Sequence, residues 1–285
     1  MKIKITDRDL EIMRWIARLK HLNTTLISEF FFDGSVKATQ KRLRLLSGAG
    51  YLCWFEKLSP SSIGRCERIY YLNKKLKDEI KYLLGQDVII YSPPKNPIFA
   101  NHDLKIAHFI LCLKKCCEKN TAYSFHSEVE NRSKFLKRNL HKKDGLPIIG
   151  RSKAVFIPDS LIVLESKKGK SLTFLEVDTG KETIRGSFKN TADLSRKMKA
   201  YADYLSCKGY KALSEQFNFS FTGFRVLLVT TPKRVEKIST LCEHIDTKGV
   251  VWITSFDRVT PKILFDPVWH VPEEKNLMSI IKKKE

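Results

Sequence analysis

The chain has 285 residues, and its 52 lysines and arginines against 31 aspartates and glutamates leave a net charge of +21 at neutral pH. A hydrophobic content of 42% is enough to build a core and excludes a disordered chain, and the length favours two domains. No apolar run approaches the roughly eighteen residues that a membrane-spanning helix needs, and the N-terminus has no apolar stretch of the kind that opens a secretory signal. The seven cysteines are odd in number and irregular in spacing, so they read as thiols of a cytoplasmic protein, not as a disulfide framework. Cys112, Cys116 and Cys117 fall in an apolar helical pattern and are expected to be buried, and no Cys/His pairing suggests zinc. A charge of +21 calls for a polyanion, with nucleic acid the first candidate and an acidic membrane surface the second.

Thr6 is a natural N-cap for a first helix, with Asp7 and Asp9 in the first turn. Asn23 caps a second, Thr24 to Phe31. A third is predicted from about Ser35 to Ser47, with Val36, Leu43 and Leu46 as its apolar side and Gly48 and Gly50 stopping it. Tyr51 to Phe55 and Arg68 to Leu72 read as two strands around the turn-rich Ser59–Gly64. Three short helices and a β-hairpin are the order of a winged helix-turn-helix. In that architecture the third helix enters the major groove, which would present Lys37, Thr39, Gln40, Lys41 and Arg44, with Arg65 at the wing tip. A merely solvated helix face is the alternative for these residues, and winged helices also mediate protein contacts.

Asn73 to Leu84 reads as a short helix, and the three prolines between Tyr91 and Pro97 mark a stiff linker. The expected domains are therefore 1–90, a linker at 91–100, and 101–285. The second begins with a long helix from Asn101 to Lys119 and a strand near Ala122 to Val129. Residues 131–153 are strongly basic. A hairpin about Lys167-Lys-Gly-Lys170 follows, then a helix to Ser206, a strand to Thr230, a helix from Pro232 and a strand at Val250 to Thr254. The pattern is α/β, built on a mixed sheet.

The hairpin carries the acidic constellation. Asp159 sits where one apolar strand is interrupted, between the apolar runs Ala154 to Ile157 and Leu161 to Leu164, and Glu176 and Asp178 lie two apart on the next strand, which puts them on one face. Pairing of the two strands would bring Asp159 beside Glu176. Converging carboxylates repel one another unless a cation neutralises them, and Mg²⁺ or Mn²⁺ bound this way suits phosphodiester cleavage. A solvated acidic face is the plainer reading. Tyr201 and Tyr204, at helical spacing, read as core residues and not as nucleophiles. His102-Asp103 reads as a helix cap or as a polar pair near the site, with the cap favoured.

Pro158-Asp159, a hairpin and Glu176-x-Asp178 resemble the PD-(D/E)xK nuclease pattern. By that resemblance Asp159, Glu176 and Asp178 are metal ligands, with Glu128 or Glu130 as the upstream acid. The pattern's lysine is replaced here by Asp178, so Lys181 or Lys197 would have to supply the cation. The whole order resembles the replication-relaxation family of plasmids and mobile elements. The residues that carry this are Thr6-Asp-Arg-Asp-Leu-Glu-Ile-Met-Arg-Trp-Ile-Ala-Arg-Leu19, Lys41-Arg-Leu-Arg-Leu-Leu46, Gly50-Tyr-Leu52, Ile69-Tyr-Tyr-Leu72, His102-Asp-Leu104, Pro158-Asp159, Phe174-Leu-Glu-Val-Asp-Thr-Gly-Lys-Glu182, Lys199-Ala-Tyr201 and Val226-Leu-Leu-Val-Thr230. The resemblance implies an N-terminal winged helix-turn-helix and a C-terminal restriction-endonuclease-like mixed-sheet domain. It further implies a metal-dependent endonuclease or relaxase on plasmid or mobile-element origin DNA, working with other relaxosome or replication proteins. A non-catalytic origin-binding or regulatory protein with a degenerate nuclease fold is the competing expectation.

Overall fold

A computed structural model of the chain describes residues 3–56, 67–93, 100–128, 158–184 and 193–281. The wing-tip turn with Arg65, six of the ten expected linker residues, Glu130 and the basic segment 131–153 lie outside the described residues. The chain divides into two compact units, Met1–Leu111 and Cys112–Glu285. The architecture is mixed α/β, with one three-stranded antiparallel sheet and one five-stranded mixed sheet.

The first unit starts with α1 (Asp7–Leu19), whose entry is fixed by a reciprocal capping box. Asp9 N–H donates to Thr6 Oγ1, and Thr6 N–H donates back to Asp9 Oδ2 at 2.7 Å. Asp9 is fully buried and takes Arg42 Nε at 2.8 Å, so a charge-assisted bond ties α1 to α3 (Val36–Gly48). Burial alone would raise the Asp9 pKa, but the bonds from Arg42 and Thr6 outweigh it and leave the pKa lowered. Between these helices lie the short β1 (Leu22–Asn23) and α2 (Thr24–Phe31), with Asn23 Oδ1 accepting from Leu26 N–H at 2.9 Å. β2 (Leu52–Glu56) and β3 (Arg68–Leu72) form the hairpin, and the sheet order is β1-β3-β2.

Two expectations for α3 are corrected. Val36 is half exposed, not a core residue, and Thr39 is fully buried, not outward. The inward stripe is Thr39, Leu43 and Leu46, one and two turns apart. Thr39 can stand there because its hydroxyl donates to Ser35 O at 2.8 Å, so no polar group is buried without a partner. Lys37, Gln40, Lys41 and Arg44 are exposed. After α4 (Lys77–Leu84) comes α5 (Ala100–Lys119), within which the division into two units falls. His102 and Asp103 sit inside the first turn of α5 and not at its cap, and Asp103 pairs with Lys20 Nζ at 3.4 Å.

The second unit holds the five-stranded sheet, in the order β4-β5-β6-β7-β8. Its strands are β4 (Tyr123–Glu128), β5 (Ser160–Ser166), β6 (Gly169–Val177), β7 (Arg225–Thr230) and β8 (Val251–Ser255). The first three pair antiparallel and the last three parallel. The parallel crossovers run through α6 (Leu194–Ser206), with the one-turn α7 (Ser214–Phe217) behind it, and through α8 (Val235–Ile245). Leu161, Val163, Leu172, Phe174, Val226 and Leu228 of the sheet pack with Met198, Tyr201, Ile238 and Cys242 of α6 and α8. β7 and β8 are buried almost throughout, which suits the apolar runs at 226–229 and 251–253 within them.

Candidate functional site

On β6 the residues Leu172, Phe174 and Glu176 alternate onto the face covered by α6. Glu176 is therefore the polar end of an apolar stripe, and only 2% of it is exposed. Ser160 lies across from Leu175, and Asp159 N–H donates to Leu175 O at 3.0 Å. Continuing that register by one residue puts Asp159 across from Glu176. The Asp159 carboxylate is buried and accepts Val177 N–H through Oδ2 at 2.8 Å. The structure thus brings Asp159 and Glu176 together at the start of β5 and the end of β6.

An ammonium reaches this pair from α6. Asp193 caps the helix by accepting Arg196 N–H at 2.7 Å. That cap fixes the first turn, and Lys197 and Tyr201 follow on one face, a helical turn apart. Lys197 Nζ forms an ion pair with Glu176 Oε2, and the Tyr201 hydroxyl donates to Glu176 Oε1. Oε2 has no well-aligned hydrogen bond of its own, so its stabilisation comes from the ammonium charge. Lys181, the other candidate, is exposed on the loop after β6.

The electrostatics follow from two carboxylates and one ammonium. Burial raises the Glu176 pKa, Lys197 pulls it down and Asp159 pushes it up again, which leaves it at about 7. Burial lowers the Lys197 pKa, but attraction to Glu176 and Asp159 outweighs this and leaves it raised. The ion pair lowers one partner and raises the other, but at Glu176 burial and Asp159 outweigh the lysine, whereas Lys197 is raised by three carboxylates, Glu176, Asp159 and Glu182.

Asp178 has a different set of partners. It lies just beyond β6, with Oδ1 accepting Gly180 N–H at 2.9 Å and Oδ2 accepting Thr230 Oγ1–H and Arg234 Nε–H, both at 2.7 Å. Gly180 has φ +84, a backbone that glycine adopts without strain. Arg234, just before α8, also donates through Nη2 to Glu182 O at 2.9 Å. Among the described residues no group of three His, Cys, Asp or Glu side chains converges closely enough to hold a metal. The side chain of Glu128, at the end of β4, is outside the described residues. Two adjacent carboxylates are a donor set that a hard divalent cation uses together with phosphate and water oxygens, but here Lys197 and Tyr201 occupy the Glu176 oxygens.

Sequence reasoning missed Tyr201, Thr230 and Arg234. Tyr201 is a core residue as expected, fully buried against Phe174, but its hydroxyl serves the glutamate. The signal that could have found it is the Lys197-x-x-x-Tyr201 spacing after the acidic strand.

In the first unit, Gln40 and Arg44 of α3 line a groove of about 890 Å³ with Trp54 and Arg68 of the hairpin. The Arg68 guanidinium lies 4.0 Å from the centre of the Trp54 ring. Glu56 and Glu67 line the same groove, so it is not uniformly basic. Among the described residues no helix is long and apolar enough to cross a membrane. No curated protein and no solved structure matches the chain. A family model described as replication-relaxation does match, over residues 13–218, which is most of the chain, and the protein therefore belongs to the replication-relaxation family.

Proposed function

We propose that the protein binds plasmid or mobile-element DNA and cleaves one phosphodiester bond in it, as a metal-dependent endonuclease of relaxase type. The observation that carries this reading is the Asp159–Glu176 pair with Lys197 set against it from a neighbouring helix. The lysine absent from its usual strand position would be supplied by α6. Asp159 and Glu176 would hold Mg²⁺ or Mn²⁺, which supplies phosphate polarisation and an activated water. Lys197 balances the carboxylates and offers positive charge to the scissile phosphate. Tyr201 fixes the rotamer of Glu176 through Oε1. Asp178 is read as a positioning residue, which holds Arg234 and the loop through Gly180. The first unit is read as a winged helix-turn-helix, with Lys37, Gln40, Lys41 and Arg44 on the helix that meets duplex DNA.

The competing reading, an origin-binding protein without catalysis, is favoured by one feature. Both oxygens of Glu176 are engaged by Lys197 and Tyr201, and the carboxylate is closed off from solvent. Supercoiled plasmid carrying the cognate origin, incubated with Mg²⁺ or Mn²⁺, separates the two. Nicking by the wild type, lost in Asp159→Asn and in Glu176→Gln, supports the enzyme. A wild type that binds the origin with a steep salt dependence and never nicks it refutes the nuclease reading.

A further inference from the structure

The end of the β5–β6 hairpin remote from the carboxylates carries the opposite charge. β5 runs seven residues from Ser160 to Ser166, so its far end is about 23 Å from Asp159 at the strand rise of about 3.3 Å per residue. There Tyr123 of β4 lies directly across from Ser166, and Lys167 and Lys168 form the turn. Lys119 closes α5, and Lys262 and Phe265 come from the segment after β8. These residues line one groove of about 620 Å³. The Tyr123 and Phe265 rings meet edge to face in it, with centroids 5.8 Å apart. Asp266 is the one acidic residue in the lining. All four lysines are exposed, and among the described residues none of their ammonium groups is held in an ion pair.

Lysines at a turn are ordinary. Four of them drawn from three separate stretches of chain around an aromatic pair are a different arrangement. Unpaired ammoniums want phosphates, and half-buried aromatic rings at a groove offer their remaining apolar surface to planar groups. Single-stranded nucleic acid supplies both at once, because its bases are free to leave the stack. A duplex offers the phosphates but keeps its bases paired.

We propose that this groove is a second nucleic-acid site, which takes single-stranded DNA with its phosphates on Lys119, Lys167, Lys168 and Lys262 and a base against Tyr123. The inference rests on the reading of the protein as a DNA-acting one. A strand released next to a nick at the carboxylate end could be held there by the same sheet.

The test is fluorescence anisotropy of the full chain with a labelled oligonucleotide of about twelve nucleotides and with an origin duplex, at several salt concentrations. Replacing the four lysines by glutamine is expected to weaken oligonucleotide binding at least tenfold. It should also flatten the slope of log K against log salt by about 2 to 3, at roughly 0.7 per phosphate contact. Tyr123→Leu is expected to weaken oligonucleotide binding about tenfold at an unchanged slope, and Tyr123→Phe to restore it. Duplex binding should stay within about twofold throughout. The proposal is overturned if the lysine variant binds the oligonucleotide like wild type. It is equally overturned if oligonucleotide and duplex binding fall together while Tyr123→Leu changes nothing, which marks a generic polyanion surface. Stronger binding to phosphatidylserine vesicles than to the oligonucleotide also overturns it. A wild type that binds and nicks duplex but ignores the oligonucleotide sinks this inference alone, whereas one that binds neither sinks the proposed function as well.

Discussion

Lys197→Met removes the ammonium paired with the buried Glu176 and leaves Asp159 in place. In the wild type, Glu176 has a folded pKa of about 7 against an ordinary value of 4.5. A raised folded pKa contributes stability that is full below the unfolded value and is lost as pH rises through the folded value. Above pH 7 the wild-type carboxyl is ionised in both states and its contribution no longer changes with pH. Without Lys197 the pKa rises further, so the folded variant keeps a proton that the unfolded chain has released. Its stability then falls by about 1.4 kcal/mol per pH unit where the wild type is flat. The stability gap should be nearly constant between pH 5 and 6, and should widen by about 2 to 3 kcal/mol between pH 7 and 9. Constant terms, such as the relieved burial of the ammonium or altered packing, shift both ends equally and leave this slope alone. Urea unfolding at pH 6, 7, 8 and 9 measures it. A gap that stays parallel across that range refutes the argument, because it would mean that Lys197 does not govern the ionisation of Glu176.

Arg42→Met strands the buried Asp9 carboxylate and is expected to cost about 3 kcal/mol at neutral pH by chemical denaturation. Because the Asp9 pKa is lowered by its bonds, that stabilisation is present above its ordinary value of 3.8 and the gap should close as pH falls below it. Asp178→Ala leaves Arg234 Nε and the buried Thr230 hydroxyl without their acceptor and should lower stability by about 2 to 4 kcal/mol, visible as a lower Tm. Gly209→Ala would set its Cβ 2.2 Å from Cε2 of Tyr204, an overlap expected to cost about 2 kcal/mol or more by the same measurement. Replacing Glu176, Lys197 and Tyr201 together by Leu, Met and Phe should raise stability by about 1 to 4 kcal/mol at pH 8 and abolish any nicking.

Much of the fold could be read locally. Asn23 and the Thr6–Asp9 box announce their helices because a cap needs only a side chain three residues from its backbone partner. The pairing of Asp159 with Glu176 was legible because a tight hairpin fixes register from its turn. The phase of α3 was not legible. Its apolar residues are sparse, and the sequence alone gives no reason to bury Thr39 and expose Val36; packing against α2 and β2 sets that choice. The site's remaining partners depend on distant chain. Arg234 is fifty-six residues from Asp178, and Arg42 is thirty-three from Asp9, so no local pattern encodes either pair. Tyr201 was hidden for another reason, since one side chain fills a core position with its ring and serves a carboxylate with its hydroxyl.

The position of Glu176 bears on why the site exists. Its neighbours on the same face, Leu172 and Phe174, are both buried, so an apolar residue at 176 would extend the core toward α6 without interruption. Instead the chain buries a carboxylate whose ionisation is opposed by burial, and then commits a lysine and a tyrosine hydroxyl to it. A fold under selection for stability alone gains nothing from this, because a buried ion pair seldom matches the apolar packing that it displaces. Register is no better explanation, since the hairpin turn and the alternation of β5 and β6 already define it. The proposed function supplies a reason that stability and register do not. Asp159, Glu176 and Lys197 are costly as structure, and the proposed phosphodiester chemistry is what would repay them. Under the proposed function, the basic, aromatic groove at the other end of the same hairpin would hold a strand of the DNA on which that site acts.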